Sequence, residues 1–77
     1  LSKVQKHHIL PDEAEEVLFS KPVIRRARDG RYLAIGLIDQ YVTVIFEYNR
    51  GQAEVVTAYP SSDWQIRLYK RAKKSRK

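Results

Sequence analysis

The chain contains no cysteine. It therefore has no disulfide bond, no thiolate nucleophile and no cysteine-based metal site, and a reducing cytosol suits every residue present. No apolar run approaches the roughly 18 residues that a membrane-spanning helix needs, and no signal peptide is recognisable. We therefore expect a cytoplasmic protein that has no membrane partner.

Several signatures of catalysis are also missing from the sequence. There is no glycine-rich phosphate loop, no cluster of His and Asp with metal-ligand spacing, and no Ser-His-Asp arrangement. Hydrolases of those classes are excluded, and we expect neither a metal nor a cofactor.

What the chain has in excess is positive charge. Its 77 residues carry 15 Lys and Arg against 9 Asp and Glu, for a net charge of +6. This balance favours a polyanion or an acidic protein as the partner and does not distinguish between them. Because a chain this short buries only about 60% of its unfolded surface, we expect one small domain over residues 1–77. Its basic tail, residues 70–77, is expected to fray into solvent. Leu1 in place of Met leaves open whether a segment precedes it.

The order of the predicted elements indicates an α+β fold. Residues 1–7 are interpreted as the end of a first helix. Pro11 then fits the first turn of a second helix, where the missing N–H has no cost and where Asp12 and Glu13 face the positive end of the helix dipole. Pro22 is expected to end this helix, because the residue before a proline avoids the α region. The sequence thus predicts two short N-terminal helices.

Four β-rich segments follow and predict an antiparallel meander. They are Val23–Arg28, Arg31–Ile38, Tyr41–Tyr48 and Gln52–Tyr59. Tight turns are predicted at Asp29-Gly30, which favours a type I′ hairpin, at Asp39-Gln40 and at Asn49-Arg50-Gly51. Alternation along the third strand puts one set of side chains on each face, namely Val42, Val44, Phe46 and Tyr48 against Tyr41, Thr43, Ile45 and Glu47.

A C-terminal helix is predicted from Trp64 to about Lys74, with Asp63 as its N-cap. The residues expected to form its packing side are Trp64, Ile66, Leu68 and Tyr69.

Several segments carry a family resemblance. Lys6-His7-His8-Ile9, followed by Asp12-Glu13-Ala14, resembles the Lys-His-Gly-Val...Glu-Glu-Ala opening of BrnT-type toxins. The segment from Arg31 to Gly36 is similar to that family's second strand. Val56-Thr57-Ala58 falls where the family has Ile-Ser-Ala, and Tyr69 occupies its late-helix tyrosine position. The likeness spans about residues 5 to 71.

The resemblance implies a RelE-like fold and a ribonuclease toxin of a type II toxin–antitoxin pair, which cuts mRNA and is inhibited by a cognate DNA-binding antitoxin. The chain departs from the family pattern in three places. Tyr59-Pro60 stands where the family has two arginines, His8 replaces a glycine, and Leu10 replaces a capping serine. The first departure leaves open whether catalysis survives, and neither cleavage specificity nor oligomeric state is predicted.

Metal-independent RNA cleavage needs a base for the 2′-OH, an acid for the leaving oxygen and cations for the charged phosphorane. His7 holds the family-matching position and can serve either proton role. We therefore predict a catalytic group of Lys6, His7, Arg31 and Glu47. Glu47 is a possible general base on the central strand. The alternatives are that His7 caps the first helix and that Glu47 pairs with an arginine of a neighbouring strand.

The predicted RNA-binding residues are Arg25, Arg26, Arg28, Tyr59, Tyr69 and Lys70. The guanidinium group of arginine can contact a phosphate through two N–H groups at once. The alternative is that the same charges protect an exposed edge strand from aggregation. The tyrosines suit base stacking, or else they seal the rim of a small core. Trp64 is interpreted as a core or helix anchor, and a base platform is the alternative.

Three functions stay open at this point. The leading one is a toxin-like endoribonuclease whose working groups are His7, Lys6 and arginines of the first hairpin. The second is a non-catalytic nucleic-acid-binding module. The third is a protein-interaction domain whose basic face docks an acidic helix.

Overall fold

The computed structural model describes residues 8–74. Its elements are α1 Pro11–Phe19, β1 Val23–Arg26, β2 Arg31–Leu37, β3 Tyr41–Asn49, β4 Gln52–Pro60 and α2 Asp63–Lys74. The strands form one sheet in the order β1-β2-β3-β4, and all neighbours are antiparallel. The predicted α+β class and the meander are confirmed. Of the predicted N-terminal pair of helices, the described range contains only α1, because the other falls on residues 1–7.

The sheet separates the two helices. Strand pairing sets Ala34 opposite Val44 and Ile35 opposite Thr43, so the residues alternate between faces as the sequence predicts. Ala14 and Val17 of α1 pack with Val42 and Val44 in the hydrophobic core. We call this side the α1 face. The other side, which carries Ile35 and Thr43, is covered in part by α2 and is called the α2 face.

The contact between α1 and β2 depends on Gly36. A Cβ atom at this position would lie 2.9 Å from Ser20 Oγ and 2.9 Å from Val17 Cγ1. Both distances are shorter than van der Waals contact, so only glycine lets the end of α1 approach the strand this closely.

Local hydrogen bonds fix the ends of α1. Leu10 cannot cap the helix with its side chain, but its backbone N–H donates to Glu13 Oε1 at 2.9 Å, which is the reciprocal half of a capping box. At the other end Ser20 Oγ donates to the Val17 carbonyl at 2.7 Å, and Lys21 has a φ of 58°. The helix therefore ends at Phe19, three residues before Pro22, which was the predicted stop.

The first hairpin differs from the prediction in its register. Asp29 and Gly30 have φ values of 60° and 72°, as the type I′ signal requires, and Arg31 N–H donates to the Arg28 carbonyl at 3.1 Å. However, Ala27 N–H donates to the Arg31 carbonyl at 2.8 Å. Ala27 therefore pairs with Arg31 and Arg28 is left outside the ladder, so β1 ends at Arg26 rather than at Arg28.

The other two hairpins are close to the prediction. Asn49 pairs with Gln52, and the intervening Arg50 and Gly51 have φ values of 57° and 81°. At the β2–β3 turn the strand ends at Leu37, one residue early, and Ile38 N–H donates to the Gln40 carbonyl at 3.1 Å. Within residues 8–74, neither helix has the length and apolar character needed to cross a bilayer.

Candidate nucleic-acid interface

A buried polar side chain docks α2 onto the sheet. Gln65 is 2% exposed. Its Oε1 accepts hydrogen bonds from Thr43 Oγ1 at 2.9 Å and from the Ser62 N–H at 2.9 Å. Its Nε2 donates to Tyr59 Oη at 3.0 Å. Thr43 Oγ1 also lies 2.7 Å from Ser61 Oγ. The network ties the start of α2 to β3 and β4.

The same network corrects the predicted helix cap. Ile66 N–H donates to the Ser62 carbonyl at 3.0 Å, which makes Ser62 the N-cap rather than Asp63. Gln65 stands three residues later and accepts from the Ser62 N–H, so it supplies the side-chain half of a capping box. Asp63 is the first helical residue and places its carboxylate at the positive end of the helix dipole.

The two tyrosines predicted to bind RNA are engaged with the protein. The Tyr59 phenol accepts the hydrogen bond from Gln65. The Tyr69 ring packs edge-on against Tyr41, with ring centroids 5.5 Å apart. Lys70 Nζ lies 5.9 Å from the centre of the Tyr41 ring, and Lys73 Nζ lies 5.5 Å from that of Tyr69. The rings of Tyr41 and Tyr69 help to hold α2 against the sheet, and each ring has a lysine ammonium group beside it.

The position of α2 follows from these contacts. One register row runs across all four strands through Val23, Ile35, Thr43 and Tyr59. Gln65 bonds to Thr43 and Tyr59 in this row, and Lys73 Nζ reaches the Lys21 carbonyl at 2.6 Å, just before β1. The helix therefore lies over this row, and Leu33 in the next row is also buried, whereas Arg25, Arg31 and Thr57 of the same face are exposed.

The outward side of α2 is basic and includes the only tryptophan. After Asp63 the helix carries no acidic residue, and its exposed side chains are Trp64, Arg67, Lys70, Arg71 and Lys74. Trp64 is 53% exposed, so the prediction that it anchors the core is wrong. The helix also continues through Lys74, so the predicted fraying does not begin at residue 70.

One flank of α2 borders the open part of the sheet. Tyr69 contacts Tyr41 at the end of the sheet that carries the β2–β3 turn. Helical periodicity places Trp64, Leu68 and Arg71 on the opposite flank of α2. The row next to the helix on that side contains Arg25, Leu33, Ile45 and Thr57. Helix and sheet thus form a corner, which we call the α2 corner.

The arginines of the first hairpin divide between the two faces. Arg25 pairs with Leu33 and lies on the α2 face, where its Nη1 donates to the Ile24 carbonyl at 3.0 Å. Arg26 pairs with Tyr32 and lies on the α1 face, and Arg28 lies in the turn. All three side chains are exposed. Arg28 does not follow the alternation of the strand, because it lies outside the ladder.

Two of the predicted catalytic residues form an ion pair. Arg31 and Glu47 are cross-strand partners on the α2 face, and Arg31 Nε lies 3.6 Å from Glu47 Oε1. This is the alternative expected for Glu47. Tyr41 contacts Tyr69 and Lys70. Along β3, six residues or about 20 Å separate Tyr41 from the ion pair. The Arg31–Glu47 pair is therefore far from Tyr69 and Lys70, whereas Arg25, opposite Leu33, lies two residues along the same face from Arg31.

The predicted catalytic residues Lys6 and His7 lie outside the described residues. The neighbouring His8 is exposed and lines an open groove with Ile9, Pro11, Glu15, Val55, Thr57 and Ala58. This groove follows β4, whereas Arg25 and Arg26 lie on β1 at the other edge of the sheet. Three strand spacings separate the edges, which is about 14 Å. His8 and these arginines therefore do not share a site.

Sequence reasoning missed three aromatic residues that reach the surface, of which Tyr32 is half-buried and the other two are exposed. Tyr32 and Tyr48 lie on the α1 face beside the first and third hairpins, and Trp64 lies on α2. The register of the β2–β3 hairpin was the signal that could have placed Tyr32 opposite Phe46. Among residues 8–74, no group of three or more His, Asp or Glu is arranged to hold a metal ion.

Comparison of the chain with protein-family models, with curated proteins and with solved structures found no match. The resemblance to BrnT-type toxins and the RelE-like assignment therefore stay predictions.

Proposed function

We propose that this protein binds single-stranded RNA along the outward side of α2 and into the α2 corner. The observation that carries the proposal is the composition of one exposed helix face: four cations, an exposed tryptophan and no carboxylate after Asp63. Cations that follow a nucleic-acid backbone, combined with aromatic rings on which bases stack, are the usual means of binding single strands.

The distribution of charge supports a polyanion on this side of the molecule. The first turn of α1, on the opposite side of the sheet, carries Asp12 and Glu13. Arg25 and Arg31 extend the positive surface of α2 onto the sheet, where Arg31 partly neutralises Glu47 and Glu54 lies opposite Glu47 on the edge strand β4. A polyanion is therefore drawn to the α2 side and repelled from the start of α1.

The exposed indole favours RNA over an acidic protein helix. An acidic helix needs cations opposite its carboxylates, and a tryptophan beside them adds nothing specific to that pairing. Unstacked bases, in contrast, stack on aromatic side chains and on arginine guanidinium planes. Trp64 and Arg71 lie on the same flank of α2 and offer both surfaces to one strand.

The test is the salt dependence of binding to a labelled 12-nucleotide RNA of mixed sequence, measured by fluorescence anisotropy. Each phosphate contact contributes about 0.7 to the slope of log K against log salt for a single strand. Arg67→Gln and Arg71→Gln should each lower the slope by about that amount. Phe19→Glu is the control, because it lowers the net charge by the same one unit at a residue that is 83% exposed on the other side of the sheet.

Equal loss of affinity in Arg71→Gln and Phe19→Glu would mean that binding follows net charge alone, and the proposed interface would be wrong. Tighter binding of an oligoglutamate peptide than of RNA at 150 mM salt would favour the protein-interaction function instead.

A second candidate function is a metal-independent endoribonuclease, the toxin of a type II toxin–antitoxin pair with its cognate antitoxin. It rests on the sequence resemblance and on one geometric observation: a carboxylate and a guanidinium, Glu47 and Arg31, lie 3.6 Å apart on the α2 face. Such a pair offers a proton acceptor and a cation for a phosphate. Cleavage of 5′-labelled RNA in EDTA by the wild type, and its loss in Glu47→Gln with RNA binding unchanged, are the expected results. Intact RNA and undiminished growth on induction of the wild type would exclude this activity.

A further inference from the structure

Three aromatic rings form a cluster on the α1 face. Tyr32 and Phe46 are stacked, with centroids 5.7 Å apart and 23° between their planes. Tyr48 meets both rings edge-on, at 5.6 Å from Tyr32 and 5.6 Å from Phe46. Edge-to-face and offset stacks are the arrangements that aromatic rings prefer, so each ring holds the others in place.

This cluster reaches the surface. Phe46 is 2% exposed and forms its floor, whereas Tyr48 is 58% exposed and Tyr32 is half-buried. The core contacts of α1 are with Val42 and Val44, nearer the other end of β3. The helix therefore leaves the rings of Tyr32 and Tyr48 accessible near the hairpin tips.

Cations border the rings. Arg26 is the direct cross-strand partner of Tyr32, and Arg28 follows in the adjoining turn. The two carboxylates of this part of the sheet, Glu47 and Glu54, pair with each other across β3 and β4 and lie on the opposite face. Around the cluster the strands therefore present aromatic rings and a guanidinium group but no carboxylate, whereas Asp29 lies in the same turn as Arg28, and Glu15 of α1 lines the groove with Val55, the cross-strand partner of Phe46.

We infer that Tyr48 and Tyr32 form a base-stacking platform for single-stranded RNA, with Arg26 contacting the adjoining phosphate. This inference rests on the proposed function and adds to it a second contact surface. Arg25 and Arg26 are consecutive residues of the edge strand β1 and point to opposite faces. An RNA strand bound in the α2 corner therefore passes around the edge strand β1 to reach the platform. Rings already fixed by their neighbours lose little freedom when a base stacks on them.

The experiment compares two ligands that carry the same number of phosphates: a 12-nucleotide RNA and a 12-unit ribose-phosphate oligomer without bases. Stacking on an aromatic side chain contributes about 1–3 kcal/mol per base, which is about 5- to 150-fold in affinity. Tyr48→Ala should weaken RNA binding by that factor and leave the affinity for the baseless oligomer unchanged. Tyr48→Phe should keep both affinities.

Leu37→Ala serves as the matched control, because Leu37 is an exposed apolar side chain at the opposite end of the sheet and on the other face. Its RNA affinity should equal that of the wild type. Urea unfolding of each variant separates loss of the platform from loss of the fold.

The outcomes separate the platform from the proposed interface on α2. If Arg71→Gln weakens binding of both oligomers while Tyr48→Ala weakens neither, the platform is wrong and the α2 interface stands. Equal weakening of both oligomers by Tyr48→Ala would also overturn the platform, because a lost stack cannot affect an oligomer that has no bases. If the wild type binds neither oligomer, both proposals are wrong.

Discussion

Arg31 Nε and Glu47 Oε1 lie 3.6 Å apart across β2 and β3, and about two-fifths of each side chain is exposed, 44% and 42%. An ion pair with this much solvent around it is screened, and such pairs are typically worth about 0.2–1 kcal/mol. The pair is therefore too weak to explain how the hairpin end of the sheet is held together, and both charges remain available to a ligand on the α2 face.

The first prediction concerns this pair. In a double-mutant cycle of Arg31→Gln and Glu47→Gln, measured by urea unfolding, the coupling energy should be at most about 1 kcal/mol at low salt and should fall at 1 M salt. A coupling above about 2 kcal/mol that persists at high salt would contradict the exposed geometry.

The second prediction concerns Gly36. Gly36→Ala should destabilise the protein by about 1–3 kcal/mol, because its methyl group overpacks the contact with α1. Adding Val17→Ala removes the Cγ1 atom that the methyl would meet, so the double variant should lose less stability than the sum of the two single changes. Denaturant midpoints measure all three variants. Strict additivity would mean that the added methyl group does not meet Val17 Cγ1.

The third prediction concerns Gln65. Gln65→Leu should cost about 2–3 kcal/mol of unfolding free energy, because it removes the acceptor of the Ser62 N–H and of the buried Thr43 hydroxyl, which keeps its contact with Ser61 Oγ. Thr43→Val should cost less, since Gln65 retains its contacts with Ser62 and Tyr59. Because the two residues share one network, their effects should be less than additive. The opposite ranking would mean that the network does not anchor α2.

Much of the fold was predictable because local chemistry fixes it. The positive φ of Asp29 and Gly30, and of Arg50 and Gly51, follows from the hairpin chemistry of Asp-Gly and from a glycine after two polar residues. The alternation along β3 follows from the twofold period of a strand. These features need no knowledge of what lies across the sheet.

The wrong or missing predictions concern features that depend on residues far apart in the sequence. Trp64 was assigned to the core from helical spacing, but Gln65 occupies that position because Thr43 and Tyr59 supply hydrogen bonds to it from the sheet. A buried glutamine is favoured only when such partners exist, and no local pattern reveals them. The aromatic cluster was missed for the same reason, since its members come from two strands.

The candidate site was predictable in composition but not in arrangement. The sequence identified the arginines of the first hairpin and the basic half of α2. It did not reveal that Arg28 lies outside the ladder, or that Arg31 lies about 20 Å along the sheet from Tyr41. Strand register decides both, and a one-residue shift such as the one at Arg28 changes which side chains meet.

The last prediction uses Trp64 as a reporter. It is the only tryptophan of the chain and is 53% exposed on the flank of α2 that faces the α2 corner, so its emission reports on that surface alone. Titration with the 12-nucleotide RNA should quench Trp64 fluorescence as a base stacks on the indole, and 1 M salt should reverse the quenching because it weakens the phosphate contacts. The ribose-phosphate oligomer without bases should bind with little quenching. Trp64→Phe, which keeps an aromatic ring, should bind RNA with an affinity closer to the wild type than Trp64→Ala, as measured by anisotropy. RNA binding without any change in Trp64 emission would place the RNA away from this flank, on the cations of Arg67, Lys70 and Lys74.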